Sequence, residues 1–333
     1  MCSIRAGWRT VNPNSIQQRL PTADGVAAAL ESLRDAGLPP TPLLPVEIGG
    51  VSCWAKAEVL QPVGAFKQRG GWWRLTNLTD EQRAAGVVAV SSGNHAQGVA
   101  WAARKLEIAA TIVMPRDAPA VKVAGVRRLG ADVVFYERPG EDRDEVAARL
   151  LEQLGGTLVH AFGDPQVIEG QGTAGLECAA QLGQQPSRFV VCTGGGGLAA
   201  GLSLACPDSA IVPVEPEGWD AVGQALAAGE VVDVSEGAPM TICDALRPDA
   251  TKALNLEVLK GRADRGVTVT DAEVRAAMRF AVRELRLVLE PGGAAALAAA
   301  LAGKVAVDGH TVIMLTGGNV DPALFAQVLE TDD

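Results

Sequence analysis

Short β-branched runs alternate with alanine-rich amphipathic stretches along most of this chain, and this alternation restricts its fold more than any other feature. Seven such runs are each followed by a stretch of helical character, and they lie at residues 86–90, 110–114, 132–135, 157–160, 189–192, 210–214 and 311–315. Strands that are joined by crossover helices form parallel sheets with helices on both faces. The sequence therefore predicts an α/β fold whose ligands lie at the carboxyl ends of the strands.

Length and charge limit the classes of function. A chain of 333 residues is longer than one hydrophobic core usually supports, so we expect two lobes. The net charge of −10 argues against nucleic acid or an anionic membrane as a partner. No apolar run approaches the roughly 18 residues of a membrane span, and residues 1–5 lack an apolar signal core. These features predict a cytoplasmic protein that acts on a small molecule.

The six cysteines and three histidines do not form a recognisable metal or disulfide pattern. No two cysteines are spaced as C-x-x-C, and several lie inside apolar runs, which favours buried reduced thiols. The histidines are far apart in the sequence, which does not suggest a histidine-rich metal centre.

Four consecutive glycines, at residues 194–197, stand between an apolar run and a stretch of small residues. Glycine lets backbone N–H groups approach an anion, and the first turn of a following helix adds unpaired donors, so this turn predicts a phosphate site. A tight packing turn is one alternative. A dinucleotide site is another, because Gly194, Gly196 and Ala199 fit G-x-G-x-x-A and Glu215 follows roughly 20 residues later.

Three further segments carry candidate chemistry. Lys67 lies between Phe66 and a pair of glycines, and a lysine held against an aromatic ring in an apolar site has a lowered ammonium pKa, as a nucleophile or base requires. Residues 91–95 offer hydroxyls, an amide and helix N-terminal donors that suit a carboxylate, with an ordinary helix cap as the alternative. Residues 315–321 form another strand-to-loop junction, which alone indicates only a turn.

Together these motifs resemble the pyridoxal-phosphate enzymes of the serine/threonine dehydratase and serine racemase family. The motifs occur in the family's order at residues 66–70, 91–95, 194–198, 289–291 and 316–319. The resemblance extends from Thr41 to Asp321, and it implies fold type II, which is similar to the tryptophan synthase β subunit. That fold has two lobes, each with a mainly parallel twisted sheet flanked by helices. It implies a large cofactor-binding domain of residues 1–80 and 165–333 and a small substrate-side domain of residues 81–164.

The resemblance also implies roles for individual residues. Lys67 corresponds to the lysine that forms the Schiff base with pyridoxal 5′-phosphate, and Ser92 to a residue on the opposite face of the cofactor, so these two are the expected catalytic residues. The residues expected to bind the cofactor are Phe66, Lys67, Asn94, Gly194, Gly195, Gly196, Gly197, Leu198, Glu290 and Thr316. Those expected to bind the substrate, chiefly its carboxylate, are Ser92, Gly93, Asn94 and His95.

The activity implied by the resemblance is that of an ammonia-lyase. Such a dehydratase converts a β-hydroxy L-amino acid, such as threonine or serine, to a 2-oxo acid and ammonia. Thr316 corresponds to the residue at the pyridine nitrogen, and a neutral hydroxyl there favours elimination over transamination. The alternatives are an amino-acid racemase, a dehydratase for 3-hydroxyaspartate or phenylserine, and a β-replacement synthase. An oxidoreductase that binds a nucleotide, or a non-catalytic protein, would leave Lys67 without a role. We also expect a homodimer, which is the family's habit.

Several positions depart from the family's pattern. Gly71 replaces the usual alanine, and Trp72 and Trp73 follow it, which predicts either a roomier pocket for an aromatic substrate or a packed interface between the lobes. In relatives the segment that begins at Glu215 binds a divalent cation such as Mg²⁺. Glu215 and the carbonyl of Trp219 are the candidate ligands here, but Ala221 stands where the second acidic ligand is usual.

Overall fold

The computed structural model describes residues 19–118, 120–137 and 140–330. The helices α1 to α13 span Ala23–Asp35, Lys67–Thr76, Asp80–Ala85, Asn94–Leu106, Ala120–Arg128, Arg143–Leu154, Pro165–Leu182, Gly197–Ala205, Ala221–Ala228, Ala253–Leu259, Asp271–Phe280, Pro291–Leu301 and Pro322–Glu330. The strands β1 to β10 span Leu43–Ile48, Val51–Ala57, Val87–Val90, Ala110–Pro115, Asp132–Tyr136, Thr157–Leu158, Arg188–Cys192, Ala210–Pro216, Val267–Val269 and Thr311–Leu315.

The strands form two sheets. One has six strands in the order β1-β2-β10-β7-β8-β9, in which β1 runs antiparallel to β2 and the other pairs are parallel. The other has four parallel strands in the order β5-β4-β3-β6. The predicted α/β fold with mainly parallel sheets is therefore confirmed. The expected domain boundaries, with the small domain at residues 81–164, stay a prediction.

All seven predicted strand runs are strands, and their ends agree to within two residues. The sequence analysis did not predict the hairpin of β1 and β2, because it looked for strands that are joined by helices. A two-residue turn connects them, and its residues, Gly49 and Gly50, have φ angles of 57° and 81°. This pair of positive φ angles is the signature of the tight hairpin turns that glycine favours.

The central strands are buried on both faces, as parallel strands between two layers of helices must be. Val190 and Val191 of β7 point to opposite faces, and both are fully buried, as are Ile313 and Met314 of the neighbouring β10. Continuous β-branched and aliphatic runs satisfy this requirement, which is why the strands were readable from the sequence.

Glycines let the helices around the site approach backbone to backbone. A Cβ on Gly71 of α2 would lie only 2.9 Å from the carbonyl oxygen of Gly98 in α4. A Cβ on Gly172 of α7 would lie 2.5 Å from the carbonyl oxygen of Gly201 in α8. The departure at Gly71 is therefore a requirement of helix packing.

The described cysteines confirm the prediction of buried thiols. Cys53, Cys178, Cys192, Cys206 and Cys243 are all buried and unpaired. The remaining cysteine, Cys2, and the segment assessed for a signal peptide lie outside the described residues. Among the described helices, we find none with the length and apolar character that a membrane crossing requires.

Candidate functional site

Lys67 is the first residue of α2, and backbone contacts fix its position. The N–H of Phe66, just before it, donates to the carbonyl oxygen of Thr316 at the end of β10 at 3.1 Å. The Lys67 ammonium lies 5.0 Å from the centroid of the Phe66 ring and donates to the carbonyl oxygen of Ala161 at 2.8 Å. Burial lowers the pKa of Lys67 to about 8. The neutral, nucleophilic amine is therefore accessible near neutral pH.

A buried ion cluster holds α2 in place two residues after Lys67. Arg69 donates to Glu58, which follows β2, at 2.7 and 2.8 Å, and to Glu177 of α7 at 2.7 Å from each of two nitrogens. Lys56 adds a second cation at 2.7 Å from Glu177. All four side chains are at most 6% exposed. Burial alone would raise the pKa of Glu58, but the charge of Arg69 keeps it below its usual value. Two cations therefore balance two carboxylates in the interior.

The segment between β3 and α4 leaves the helix N-terminus open. Gly93 is the N-cap residue of α4 and provides no side-chain cap. The Ser91 hydroxyl accepts from the N–H of Gly93 at 3.1 Å, and Ser92 is partly exposed. The helix-cap alternative for these residues is therefore wrong. The N–H groups of the first turn and their positive dipole end are uncapped by this segment, as an anion site requires.

His95 faces the protein interior. Its Nε2 lies 2.8 Å from the carbonyl oxygen of Val159, which can only accept, so Nε2 carries the proton. Burial and, to a lesser extent, the charge of Lys67 lower the pKa of His95 to about 3, so the ring is neutral. Its Nδ1 is buried and has no hydrogen-bond partner among the described residues. The side chain therefore joins the start of α4 to the segment after β6.

Glu290 and Thr316 lie close to Asn94, although they are far from it in sequence. Asn94 donates from Nδ2 to Glu290, and a Cβ on the neighbouring Gly317 would overlap the Glu290 carboxyl group. Burial raises the pKa of Glu290 to about 7. The Thr316 hydroxyl hydrogen-bonds the buried Cys192 at the end of β7, where burial raises the thiol pKa to about 11. The site thus joins the carboxyl ends of β3, β7 and β10.

The glycine loop connects β7 to α8, as predicted. Gly196 has a φ of 90° and provides no side-chain cap for α8. A Cβ on Gly197 would lie 2.8 Å from Oε1 of Gln171, and one on Gly195 would overlap the ring of Phe162. The loop therefore needs glycine both for its backbone conformation and for close packing. Oε1 of Gln171 is also buried without a partner in the described part of the chain.

The sequence analysis missed the residues that fix this loop. Thr251 and Asn255 donate to the carbonyl oxygen of Gly195 at 2.9 and 3.0 Å, and Asn255 also donates to that of Phe162 at 3.0 Å. The ring of Phe162 packs edge-on against His160, with centroids 4.7 Å apart. A signal existed for Phe162, because it follows a predicted strand and polar or aromatic residues at that point commonly line a site. Thr251 and Asn255 lie in a region without periodicity.

The two tryptophans after Gly71 belong to helix interfaces. Trp72 donates to the Ser32 hydroxyl of α1 at 3.0 Å and packs on Trp101 of α4, with centroids 5.8 Å apart. Trp73 donates to Glu169 of α7 at 3.0 Å. These contacts support the packed-interface interpretation and give no support to a roomier aromatic pocket.

Glu215 serves as a helix cap. Its two carboxylate oxygens accept from the N–H groups of Val222 and Gly223, at the start of α9, at 2.8 and 2.9 Å. Burial raises its pKa to about 8, and Trp219 directs its indole N–H to Pro239 at 2.8 Å. Among the described residues, no group of three or more His, Cys, Asp or Glu side chains is placed to hold a metal ion. This donor set does not fit a divalent-cation centre, and a buried Glu215 does not suit a ribose.

Comparisons with known proteins agree with the site's geometry. The model of the family described as pyridoxal-phosphate dependent enzyme matches residues 35–317. The chain is 41% identical over 286 residues to an L-threo-3-hydroxyaspartate ammonia-lyase of a Pseudomonas species, covering 84% of this chain and 89% of that protein. Maize serine racemase superposes with a TM-score of 0.86 at 34% identity, covering 93% and 97% of the two chains. For a threonine deaminase of T.th. the corresponding values are 0.82, 38%, 90% and 99%.

Removing Arg69 from the ion cluster tests its structural role. We expect Arg69→Met to lower the free energy of unfolding by about 3–5 kcal/mol, because Glu58 and Glu177 would be left buried without their main counter-ion. Arg116→Met is the matched control, since the Arg116–Glu137 pair is 62% and 56% exposed and should cost less than about 1 kcal/mol. Denaturant unfolding of both variants measures the difference. Equal losses would contradict the role of the cluster.

Proposed function

We propose that this chain, which belongs to the pyridoxal-phosphate-dependent enzyme family, is an ammonia-lyase that acts on a β-hydroxy L-amino acid such as threonine or serine. The observation that carries this proposal is the Lys67 amine. Burial lowers its pKa to about 8, and it lies between the Phe66 ring and the carbonyl of Ala161. An amine in that state is both a nucleophile for an aldehyde and a base for an α-proton.

The residues present fit pyridoxal 5′-phosphate. The open N-terminus of α8, with Gly194, Gly195, Gly196, Gly197 and the N–H of Leu198, offers backbone donors to a phosphate. The unpaired Oε1 of Gln171 marks a polar group beside that loop that is left for a ligand or water. Phe66 and Asn94 would contact the ring, and the Thr316 hydroxyl would meet its nitrogen. When bound, the cofactor supplies an electron sink for the carbanion at Cα.

The chain's own residues then account for substrate binding and proton transfer. The uncapped first turn of α4, from Gly93 to His95, would bind the substrate carboxylate through backbone N–H groups. Neutral Lys67 would remove the α-proton and hold it at Nζ. Loss of the α-proton and the β-hydroxyl releases water, and hydrolysis of the resulting enamine gives the 2-oxo acid and ammonia. A neutral group at Thr316 favours this elimination because it does not stabilise a long-lived carbanion.

Racemisation is the second candidate activity. Ser92 would stand at the mouth of the same carboxylate site, and its partial exposure gives its hydroxyl access to the space where a substrate would lie. A proton returned to Cα from that side, rather than from Lys67, would invert the configuration. The similarity to maize serine racemase supports this alternative. A homodimer and a cytoplasmic location complete the proposal and rest on the family resemblance alone.

The pKa of Lys67 predicts how cofactor attachment depends on pH. In cofactor-free protein, the amine attacks the cofactor aldehyde only when neutral. The rate should therefore rise about tenfold per pH unit and level off above about 8, instead of rising to the usual lysine value of 10.5. The growth of visible absorbance after cofactor addition measures this rate. A rate that keeps rising toward pH 10 would contradict the lowered pKa.

Product analysis tests the activity. Wild-type protein with cofactor is expected to release equal amounts of ammonia and 2-oxo acid from at least one of L-threonine, L-serine, L-threo-3-hydroxyaspartate and phenylserine. Lys67→Ala should lower the rate by at least about 100-fold, because it removes both the attachment point and the base. Lys105→Ala, at an exposed lysine, is the matched control and should retain the wild-type rate.

The outcomes separate the candidate functions. Ammonia release that survives in Lys67→Ala would contradict the proposed base. Loss of optical purity in the remaining substrate without ammonia release would establish racemisation instead of elimination.

A further inference from the structure

The orientation of the Asn94 amide is set by a residue outside the set considered so far, Asn319. Nδ2 of Asn319 donates to the backbone carbonyl of Val63 at 2.8 Å and to Oδ1 of Asn94 at 2.7 Å. A backbone carbonyl can only accept, so the amino group of Asn319 must face Val63. Its second N–H then requires an acceptor at Asn94, which is Oδ1.

This order of donors determines what Asn94 presents to a ligand. Because Oδ1 of Asn94 accepts from Asn319, its Nδ2 is on the side of Glu290 and donates one N–H to that carboxyl group. The amino group carries two hydrogens, so one N–H is left. If the amide rotated by 180°, its oxygen would face Glu290, and no donor would remain for a ligand.

The surrounding backbone is shaped to hold Asn319. Gly64 has a φ of 70°, and a Cβ there would lie 2.8 Å from Oδ1 of Asn319. The carbonyl oxygen of Gly64 in turn accepts from the N–H of Gly318 at 2.9 Å. A side chain at residue 64 would therefore displace Asn319. The glycine before Phe66 and the C-terminal Gly-Gly-Asn segment thus form one structural unit around the Asn94 amide.

We infer that Asn319 is a positioning residue that fixes the Asn94 amide with its free N–H toward the ring oxygen of the cofactor. This inference rests on the proposed function, because it concerns the same cofactor site. A donated N–H stabilises the ring oxygen as an anion, whereas an amide oxygen in its place would destabilise that anion. Asn319 would thereby affect both the affinity for the cofactor and the protonation of its ring oxygen, without touching the cofactor.

A double-mutant cycle on the holoprotein tests the inference. We expect Asn319→Ala to weaken the binding of pyridoxal 5′-phosphate by about 3- to 10-fold and to move absorbance from the visible to the near-ultraviolet band. If Asn319 acts through Asn94, the same substitution should add nothing in an Asn94→Ala background. Asn77→Ala is the matched control, because Asn77 also donates to a backbone carbonyl, that of Trp73 at 2.7 Å, on the exposed surface. It should change neither quantity.

A second variant covers the case in which Asn319→Ala does not fold. Asn319→Asp keeps the size of the side chain but cannot donate to Val63 or Asn94, so we expect a shift of the absorbance in the same direction. Additive effects in the cycle, or a wild-type spectrum in both Asn319 variants, would overturn the inference while leaving the proposed function intact. Failure of the wild-type protein to retain the cofactor at all would overturn the proposed function instead.

Discussion

The pair of carboxylates that hold Arg69 is the interaction on which the rest of the site depends. Glu58 follows strand β2, Glu177 lies on helix α7, and Arg69 comes two residues after Lys67. A single guanidinium therefore joins the central sheet, a long buried helix and the helix that presents the reactive amine. Because the cluster is buried, its geometry is poorly tolerant of change, and Lys67 inherits that rigidity.

Three loops meet the amine at this fixed point. The ends of β3, β7 and β10 supply an open helix N-terminus, a glycine loop and Thr316, and the segment after β6 supplies the carbonyl that Lys67 contacts. Each loop is restrained by side chains from elsewhere in the chain, such as Asn255 at the glycine loop and Asn319 at Asn94. The site is therefore organised before any ligand binds, which is the condition for efficient electrostatic stabilisation.

The sequence predicted the parts of this arrangement that local patterns encode. Periodicity located the strands, and the glycine run and Lys67 stand out at strand and helix ends. The restraints were not predictable, because Asn319 meets Asn94 across 225 residues and Asn255 meets Gly195 across 60. Gly71 was misread as a feature of the pocket, since its reason lies in the backbone of a neighbouring helix. Glu215 fitted two ligand motifs, yet its carboxylate caps α9.

The central claim is that Lys67 is the residue that carries the cofactor. Reduction of the holoprotein with borohydride, followed by peptide mass analysis, fixes the attachment point directly. We predict a single phosphopyridoxyl group on the peptide that contains Lys67, and none on the peptide that contains the buried Lys56. A modification at any other lysine, or an unmodified chain, would contradict the account.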